Sequence, residues 1–375
     1  MRTILESIAM TYSIEKVTTL IGAHRYGEHA ASIGFLLTDS RSLCFPEETL
    51  FFALKSGRNN GHDFIPDLYR RGVRNFVVDT LPENRETIYP DANFLKVISP
   101  IEALQRLAER HRDEYSIPIV GITGSNGKTI VKEWLFQLLS PSMAVTRSPR
   151  SYNSQIGVPL SVWLLSEQTQ VGVFEAGISQ PGEMAALRDI IQPTVGVITN
   201  IGSAHQENFN TLDEKVEEKL KLFHDTDVII YPADDPTIAR CVAAGNYTGR
   251  HMAWSQKDPD APLYISRIDK SGSETKISYI YNKGESQTYT LPFIDEASVE
   301  NSITCLAVCL TLGLAAERID EGMANLEPVA MRLEVKQGQH GCTLINDSYN
   351  SDINSLDIAL DFISRRPDHK GRRRT

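Results

Sequence analysis

The sequence predicts an α/β fold whose central part is a mostly parallel sheet. Four nearly continuous apolar runs lie in the middle of the chain, and amphipathic segments separate them. Such runs are typical of strands that are covered on both faces, as they are in parallel sheets. The runs are IPIVGIT at 117–123, QVGVFEA at 170–176, TVGVITN at 194–200 and DVIIYP at 227–232. The helices predicted between them cover 129–139, 182–191 and 212–223.

The composition indicates an acidic globular protein. The chain has 375 residues, and 38 Lys and Arg residues against 48 Asp and Glu residues give a formal net charge of −10. This balance argues against a nucleic-acid-binding protein with a broad basic surface. No run approaches the ~18 apolar residues of a membrane span. The five cysteines are scattered and include no CxxC pair, so we expect neither disulfides nor zinc and infer a reducing cytoplasm.

The first domain is predicted to be a small α/β unit of residues 1–115. Ile14, Val17 and Ile21 follow helical spacing, and Met10 is a second candidate for the initiator. Strands are expected at 49–57 and 75–79, and helices at 64–72 and 101–113. Gly72 stands where a left-handed residue ends the first of these helices.

The second domain is predicted to span residues 116–329. Alternating polar and apolar residues at 262–292 predict an antiparallel extension. Helices are expected at about 297–313, where Cys305 and Cys309 face one core, and at about 316–326.

Residues 330–375 are predicted to begin a third domain. RLEVKQG and CTLIND indicate two strands, and SLDIALDFI indicates a helix. A segment of about 45 residues is too short for a core of its own, so we interpret it as an incomplete domain. We expect the basic end, 365–375, to be a disordered or frameshifted tail rather than a nucleic-acid patch.

The most specific motif is GITGSNGKT at 121–129, which lies directly between a predicted strand and a predicted helix. Gly124 and Gly127 allow backbone N–H groups to turn toward phosphate oxygens. Lys128 is then expected to reach the β- and γ-phosphates, and the Thr129 hydroxyl to hold Mg²⁺. Ile122 occupies the position of the first glycine of the common phosphate loop, so the spacing is a variant. The alternative is a glycine-rich turn that binds nothing.

The motif resembles the nucleotide loop of the Mur ligases, which form amide bonds with ATP in peptidoglycan synthesis. The resemblance runs from about residue 12 to residue 364. TDSRSLCFPEETLFFALKSGRNNGHDFI is similar to the uridine-nucleotide-binding domain of that family, and INDSYNSDINSLDIAL is similar to the opening of its Rossmann-like third domain. These details favour the branch that adds D-alanyl-D-alanine to UDP-N-acetylmuramoyl-tripeptide. MRLEVK is similar to ligases fused to an alanine racemase, which implies a fused or associated racemase in complete relatives.

The resemblance implies a catalytic and metal site. Glu175 ends a predicted strand, where open α/β sheets present ligands, and His205 follows another strand. In the family, the matching Glu and His bind a second Mg²⁺. Lys219 matches a lysine that CO₂ carbamylates, with Lys215 and Lys221 as rivals and a solvated helix face as the alternative. The implied catalytic residues are Lys128, Glu175, His205 and Lys219, and the implied metal ligands are Thr129, Glu175, His205 and Lys219.

The resemblance also implies contacts with the ATP nucleotide. Asn301 matches an adenine-contacting residue, although Ala297 and Ser298 replace a His-Asn pair that is usual in the family. Asp347 is expected to accept hydrogen bonds from the ribose hydroxyls. The implied nucleotide-binding residues are Gly124, Ser125, Asn126, Gly127, Lys128, Thr129, Asn301, Arg332 and Asp347.

A further set is implied to bind the substrate. Lysine and arginine in the first domain would balance the charge of a uridine diphosphate, although turns such as GRNNGHD are also ordinary surface loops. Ser151 and Ser154 stand where the family usually has asparagine. The implied residues are Ser40, Arg41, Lys55, Asn59, His62, Asn153, Tyr349 and Asn350.

The function implied is ATP-dependent ligation of D-alanyl-D-alanine to UDP-N-acetylmuramoyl-tripeptide through an acyl phosphate. One alternative is a truncated, catalytically incompetent fragment that binds nucleotide and substrate. Another is a folylpolyglutamate-synthase-like ligase, which the first domain and the D-S-Y-N motif disfavour.

Overall fold

The computed structural model describes residues 11–57, 59–202, 208–245, 247–329, 334–337, 342–346 and 360. The chain divides into two compact units. The first unit holds the residues up to Ile117 with Tyr152–Thr169 and Asp189–Ile191, and the second holds Pro118–Ser151, Gln170–Arg188 and the chain from Gln192. The predicted limits of the domains, 1–115, 116–329 and 330–375, remain a prediction.

The described strands and helices alternate along most of the chain. The strands are β1 Tyr12–Ser13, β2 His24–Tyr26, β3 Ser32–Ile33, β4 Phe35–Leu37, β5 Thr49–Phe52, β6 Asn75–Val78, β7 Asn93–Lys96, β8 Ile119–Thr123, β9 Val145–Arg147, β10 Val171–Glu175, β11 Val195–Ile198, β12 Val228–Pro232, β13 Arg250–Ser255, β14 Leu263–Ser271, β15 Glu274–Tyr281, β16 Ser286–Leu291, β17 Glu334–Gln337 and β18 Thr343–Asn346. The α-helices are α1 Ile14–Ile21, α2 Ile65–Arg70, α3 Arg85–Ile88, α4 Pro100–Arg112, α5 Lys128–Leu139, α6 Gly157–Val162, α7 Glu183–Ile191, α8 Leu212–Leu220, α9 Pro236–Ala244, α10 Glu296–Thr311 and α11 Ala316–Ala324.

The first unit is built on a five-stranded sheet in the order β2-β7-β6-β5-β4. Strands β4 to β7 are parallel, and β2 is antiparallel to β7. Alternate residues of β5 enter different cores: Leu50 and Phe52 pack with α1 and α4, whereas Phe51 packs with α2. The sheet is therefore covered on both faces, as its apolar sequence predicts.

The predicted elements of this unit are confirmed with small changes of length. The strand predicted at 49–57 ends at Phe52, because the chain turns back at Lys55, which forms an isolated bridge with Asn60. Gly72 has the left-handed conformation expected after α2, with φ of +98°.

The second unit contains a nine-stranded sheet in the order β16-β15-β14-β13-β12-β11-β8-β10-β9. Strands β8 to β14 run parallel, and β14, β15 and β16 continue the same sheet in antiparallel pairs. This arrangement confirms the predicted α/β class and its antiparallel extension. Strands β9 and β13 and helix α9 were not predicted.

One face of the large sheet packs against α5 and α10. Val120 and Ile122 of β8 share a buried cluster with Leu135 of α5 and Ile303 of α10. Cys305 and Cys309 lie in this cluster as predicted. The predicted strands of the third domain are present as the antiparallel pair β17–β18. Of the helix predicted after them, only Leu360 is described, and it is helical.

No helix in the described part of the chain is long and apolar enough to cross a membrane.

A buried histidine joins three segments of the first unit. The His111 side chain lies between the Tyr12 hydroxyl, 2.9 Å from its Nδ1, and the Leu165 carbonyl oxygen, 3.1 Å from its Nε2. The ring of Trp163 lies 4.6 Å from the imidazole ring, centroid to centroid. Burial lowers the pKa of His111 to about 4.

We expect acid to weaken the fold through His111. The unfolded chain binds a proton on this imidazole near pH 6.5, whereas the folded unit does so only near pH 4. Stability that is present above pH 6.5 is therefore lost as the pH falls toward 4, with a loss of roughly 2 kcal/mol between pH 7 and pH 5. Urea unfolding of wild type and His111→Gln at both pH values measures this loss of unfolding free energy.

The control is His224→Gln, because the His224 side chain is 71% exposed. Its pH dependence should match that of wild type, and the His111→Gln dependence should be shallower. Equal pH dependence in wild type and His111→Gln would rule out this role of the buried imidazole.

Candidate active site

The phosphate loop lies where the order of the large sheet changes direction. Strand β8 pairs with β10 on one side and with β11 on the other. The chain leaves β8 at Thr123, passes through residues 124–127 and enters α5 at Lys128. Crevices at such points, outside the carboxyl ends of parallel strands, are where open α/β sheets bind ligands. The N-terminus of α5 adds its positive dipole end.

At both loop glycines, steric overlap as well as backbone conformation excludes a side chain. Gly124 and Gly127 have φ values of +141° and +82°. A Cβ atom on Gly124 would overlap the Thr199 hydroxyl, and one on Gly127 would overlap the side-chain oxygen of Asn301. The loop is therefore packed tightly against the residues that follow β11 and against α10.

Residues that follow β11 hold the loop through hydrogen bonds. Asn200 accepts two of them: its carbonyl oxygen from Ser125 N and its Oδ1 from Asn126 N, both at 2.9 Å. The Thr199 hydroxyl donates to the Asn126 carbonyl oxygen at 2.6 Å. Thr199 and Asn200 were not predicted as site residues, although TNIGS directly after an apolar strand is the signal that could have indicated them.

The reactive side chains of the motif lie at the start of α5. Lys128 Nζ donates to the carbonyl oxygens of Gly124 and Ser125, at 2.8 and 3.0 Å. The Thr129 hydroxyl donates to Glu175 Oε2 at 3.2 Å and lies 2.9 Å from the Ser151 hydroxyl. Glu175 ends β10, and its side chain is fully buried. The structure thus brings together two predicted metal ligands, Thr129 and Glu175.

The donor set suits Mg²⁺. A hydroxyl and a carboxylate are hard oxygen ligands, and Mg²⁺ typically takes one or two carboxylates with substrate phosphates and water. Within the described ranges, no group of three or more His, Cys, Asp and Glu side chains could hold a metal by itself. A hydroxyl and one carboxylate leave coordination positions that phosphate oxygens and water would fill around Mg²⁺.

The three candidate lysines of α8 and its end differ in environment. Lys219 is 4% exposed, and its Nζ lies 3.3 Å from the Gly124 carbonyl oxygen, so it does not lie on a solvated helix face. Lys215 is also buried and donates to the Gly202 carbonyl oxygen at 2.5 Å. Lys221 is half-exposed and pairs with Glu218. Burial, followed by the charges of Lys128 and Lys215, lowers the pKa of Lys219 well below its usual range.

Asn301 lies on α10 with its side chain against Gly127 and is 6% exposed. The first turn of this helix is capped by Asp295, whose Oδ1 accepts from Ser298 N at 2.8 Å. Five predicted site residues lie outside the described residues: His205, Arg332, Asp347, Tyr349 and Asn350.

The predicted substrate residues of the first unit follow the carboxyl ends of neighbouring parallel strands. Ser40 and Arg41 come after β4, and Lys55, Asn59 and His62 come after β5. Lys55 Nζ and His62 Nε2 both contact Asp79, at 2.8 and 3.2 Å.

Asp79 was not predicted as a site residue, although it follows the apolar strand β6 directly and is thereby placed at the same edge. Burial lowers the pKa of His62, and the nearby charge of Asp79 opposes this shift. Arg41 is mostly exposed and pairs with Asp39 at 2.6 Å. Asn153 belongs to this unit and is half-buried.

Comparison with known families identifies the chain. The Mur ligase middle domain matches residues 122–309, and the Mur ligase family catalytic domain matches residues 32–112. The UDP-N-acetylmuramoyl-tripeptide–D-alanyl-D-alanine ligase of Bacillus subtilis is 30% identical over 333 residues, which are 86% of this chain and 68% of that protein. The ligase of the same name from Treponema pallidum is 28% identical over 94% of this chain and 76% of its own length. The chain therefore belongs to the Mur ligase family.

Solved structures share the fold. A MurF structure from Acinetobacter baumannii superposes with a TM-score of 0.85 at 24% identity, covering 96% of this chain and 77% of that one. MurF ligase from Thermotoga maritima in complex with ADP has a TM-score of 0.75 at 25% identity, with coverages of 88% and 74%. Folylpolyglutamate synthase from Mycobacterium tuberculosis gives a TM-score of 0.57 at 16% identity, over 71% of this chain and 70% of that chain, which shows a shared fold alone.

We expect Gly127→Ala to weaken nucleotide binding because its methyl group would displace Asn301. Gly313→Ala is the matched control, since Gly313 has a φ of +79° against +82° for Gly127 and no neighbour within 4 Å. Both changes should cost about 1 kcal/mol of stability through backbone strain.

Calorimetric titration with ADP should show at least about a tenfold loss of affinity for Gly127→Ala. This loss corresponds to about 1.4 kcal/mol of binding free energy. Gly313→Ala should bind as wild type does. Equal affinities for the two variants would contradict the packing of the loop against α10.

Proposed function

We propose that this chain is an ATP-dependent ligase that adds D-alanyl-D-alanine to UDP-N-acetylmuramoyl-tripeptide in peptidoglycan synthesis. The observation that carries the proposal is a phosphate loop whose Thr129 hydroxyl donates to the buried Glu175 carboxylate. The relatives from Bacillus subtilis and Treponema pallidum, which match most of this chain, are ligases of that name. The loop accounts for the use of ATP, and the relatives' name supplies the two substrates.

The loop residues would bind and orient the phosphates of ATP. Backbone N–H groups at the start of α5 point along the helix axis, where an anion is stabilised. Lys128 Nζ donates hydrogen bonds to two loop carbonyl oxygens in the structure. With ATP bound, it would donate to the β- and γ-phosphate oxygens instead. Phosphoryl transfer depends mainly on such positioning and on neutralisation of charge.

Thr129 Oγ1 and Glu175 Oε2 are the proposed protein ligands of Mg²⁺, and the resemblance adds His205. When bound, the metal neutralises charge on the β- and γ-phosphate oxygens. Glu175 is buried and its Oε2 faces the Thr129 hydroxyl, and this placement favours binding of a small cation with strict geometry.

The reaction proceeds in two covalent steps. A carboxylate oxygen of the tripeptide attacks the γ-phosphorus of ATP, and the bond from that phosphorus to the ADP oxygen breaks. The amine of D-alanyl-D-alanine then attacks the carbonyl carbon of the acyl phosphate. The carbon–oxygen bond to phosphate breaks, and the nitrogen loses a proton as the amide forms. Holding both reactants in line supplies much of the rate gain.

Lys219 is proposed to be carbamylated. Its amine lies beside the phosphate loop and is crowded by burial and by two further lysines, so a cation there is unfavourable. The neutral amine nitrogen attacks the carbon of CO₂ and loses a proton, which gives a carbamate anion. The change of sign would relieve the repulsion and add an anion near the proposed metal.

The first unit is proposed to bind the uridine diphosphate. Lys55 and His62 already converge on Asp79, so they would exchange this carboxylate for a diphosphate at the same edge of the sheet. Ser40, Arg41 and Asn59 are proposed to join them. Asn153, Arg332, Asp347, Tyr349 and Asn350, a cytoplasmic location and a racemase partner remain predictions.

Phosphate release tests the function. With ATP and Mg²⁺, release should require both UDP-N-acetylmuramoyl-tripeptide and D-alanyl-D-alanine, because the amine completes the reaction that the carboxylate begins. Nucleotide binding without turnover would favour an incompetent fragment. Release that depends instead on a folate and glutamate would favour the folylpolyglutamate-synthase-like alternative.

Labelled bicarbonate tests the carbamate. In ¹³C-bicarbonate, wild type should show a carbamate resonance by NMR that Lys219→Ala lacks, because the Lys219 amine is the acceptor. The same variant should lose activity and regain part of it with a short-chain carboxylic acid. Lys221→Ala, which changes the half-exposed lysine, is the control and should keep the resonance. A resonance that persists in Lys219→Ala would refute the assignment.

A further inference from the structure

Lys132 is a buried lysine that the mechanism above does not use. It lies in α5, three residues after Thr129, so both side chains leave the helix on neighbouring positions of one face. Its side chain is 0% exposed. A lysine is rarely buried in this way unless its charge is matched by nearby acceptors.

Four oxygen atoms surround the Lys132 amine. Glu133 Oε1 lies at 2.9 Å and Glu175 Oε1 at 3.3 Å. The carbonyl oxygens of Ser148 and Arg150 accept hydrogen bonds from the same nitrogen, the first at 2.9 Å. The amine therefore joins two carboxylates to the turn that follows β9.

The two oxygens of Glu175 have different partners. Oε1 faces the Lys132 amine, whereas Oε2 accepts from the Thr129 hydroxyl. The terminal torsion of a glutamate is broad, so the carboxylate plane needs an external contact to fix it. Lys132 supplies such a contact to Oε1, at 3.3 Å.

The turn after β9 is tied to the same carboxylate residue. The Ser148 hydroxyl accepts from Glu175 N at 3.2 Å, while the Ser148 carbonyl oxygen accepts from Lys132. At the other end of the turn, the Ser151 hydroxyl lies 2.9 Å from Thr129 Oγ1. Lys132 thus holds the backbone of this turn at Ser148 and Arg150. The turn in turn places the Ser151 hydroxyl beside Thr129.

We propose that Lys132 is a positioning residue, which occupies Glu175 Oε1 so that Oε2 is presented beside Thr129 for Mg²⁺. This inference rests on the proposed function, because it assigns Lys132 to the same metal site. Residues that orient metal ligands in this way commonly change metal affinity by 10- to 100-fold when they are replaced.

A purely structural role is the rival explanation. Glu133 also pairs with Arg147, at 3.0 Å, and is partly exposed, so Lys132 could serve only to neutralise this carboxylate. Glu133→Gln removes the negative charge that Lys132 would neutralise and leaves the contact between Lys132 and Glu175. It is therefore the matched control for Lys132→Met, which keeps an unbranched apolar side chain but removes the amine.

The test measures ADP affinity by calorimetry as Mg²⁺ is varied, with EDTA as the metal-free reference. Lys132→Met should raise the Mg²⁺ concentration needed for half-maximal tightening of ADP binding by about tenfold or more. Its ADP affinity in EDTA should stay within about threefold of wild type, and Glu133→Gln should resemble wild type in both conditions. An unchanged Mg²⁺ requirement in Lys132→Met, or an equal rise in Glu133→Gln, would overturn the proposal.

A double variant keeps the proposal testable if Lys132→Met alone does not fold. Lys132→Met/Glu175→Gln removes both buried charges together, which is better tolerated than leaving one of them alone. If Lys132 acts through Glu175, the double variant should have the Mg²⁺ requirement of Glu175→Gln alone. A further rise of about tenfold would show action independent of Glu175 and overturn the proposal.

The wild-type titration separates this inference from the function on which it rests. If Mg²⁺ does not tighten ADP binding by wild type, the proposed metal site itself fails. If Mg²⁺ tightens binding equally in wild type and Lys132→Met, only the role of Lys132 fails.

Discussion

The buried carboxylate of Glu175 is the constraint on which the site depends. It ends β10 next to the phosphate strand, has no solvent exposure and is shared between Thr129 on one oxygen and Lys132 on the other. A buried carboxylate is costly without such partners. Because both partners come from the first turns of α5, the helix that offers its N-terminus to phosphate also fixes the residue proposed to bind the metal.

The residues that follow β11, the strand next to β8, form a second rigid part of the same site. Thr199 and Asn200 bind the backbone of the phosphate loop, and Asn301 closes on Gly127 from α10. The loop therefore keeps its shape through contacts from the segment after β11 and from α10. This rigidity explains why glycine is needed twice, since any side chain at Gly124 or Gly127 would displace a contact that maintains the loop.

Sequence patterns predicted the elements with strong periodicity or continuous apolar runs, including every strand from β10 to β12. They did not indicate β9 or β13, because a three-residue strand carries little pattern and RHMAWS at 250–255 mixes polar and apolar residues. Thr129 and Glu175 followed from a motif and a strand end, which are local signals. Lys132 did not, because its role arises from a contact 43 residues away along the chain, with Glu175. Asp79 does follow a strand end, but its partner Lys55 lies 24 residues away along the chain.

Transfer of oxygen from the substrate carboxylate to the released phosphate reports formation of the acyl phosphate, which binding measurements do not. UDP-N-acetylmuramoyl-tripeptide labelled with ¹⁸O in its terminal carboxylate is incubated with ATP, Mg²⁺ and D-alanyl-D-alanine, and the released phosphate is analysed by mass spectrometry. One ¹⁸O atom is expected in each released phosphate, because the carboxylate oxygen that attacks phosphorus leaves with it. Amide formation with unlabelled phosphate would rule out the acyl phosphate.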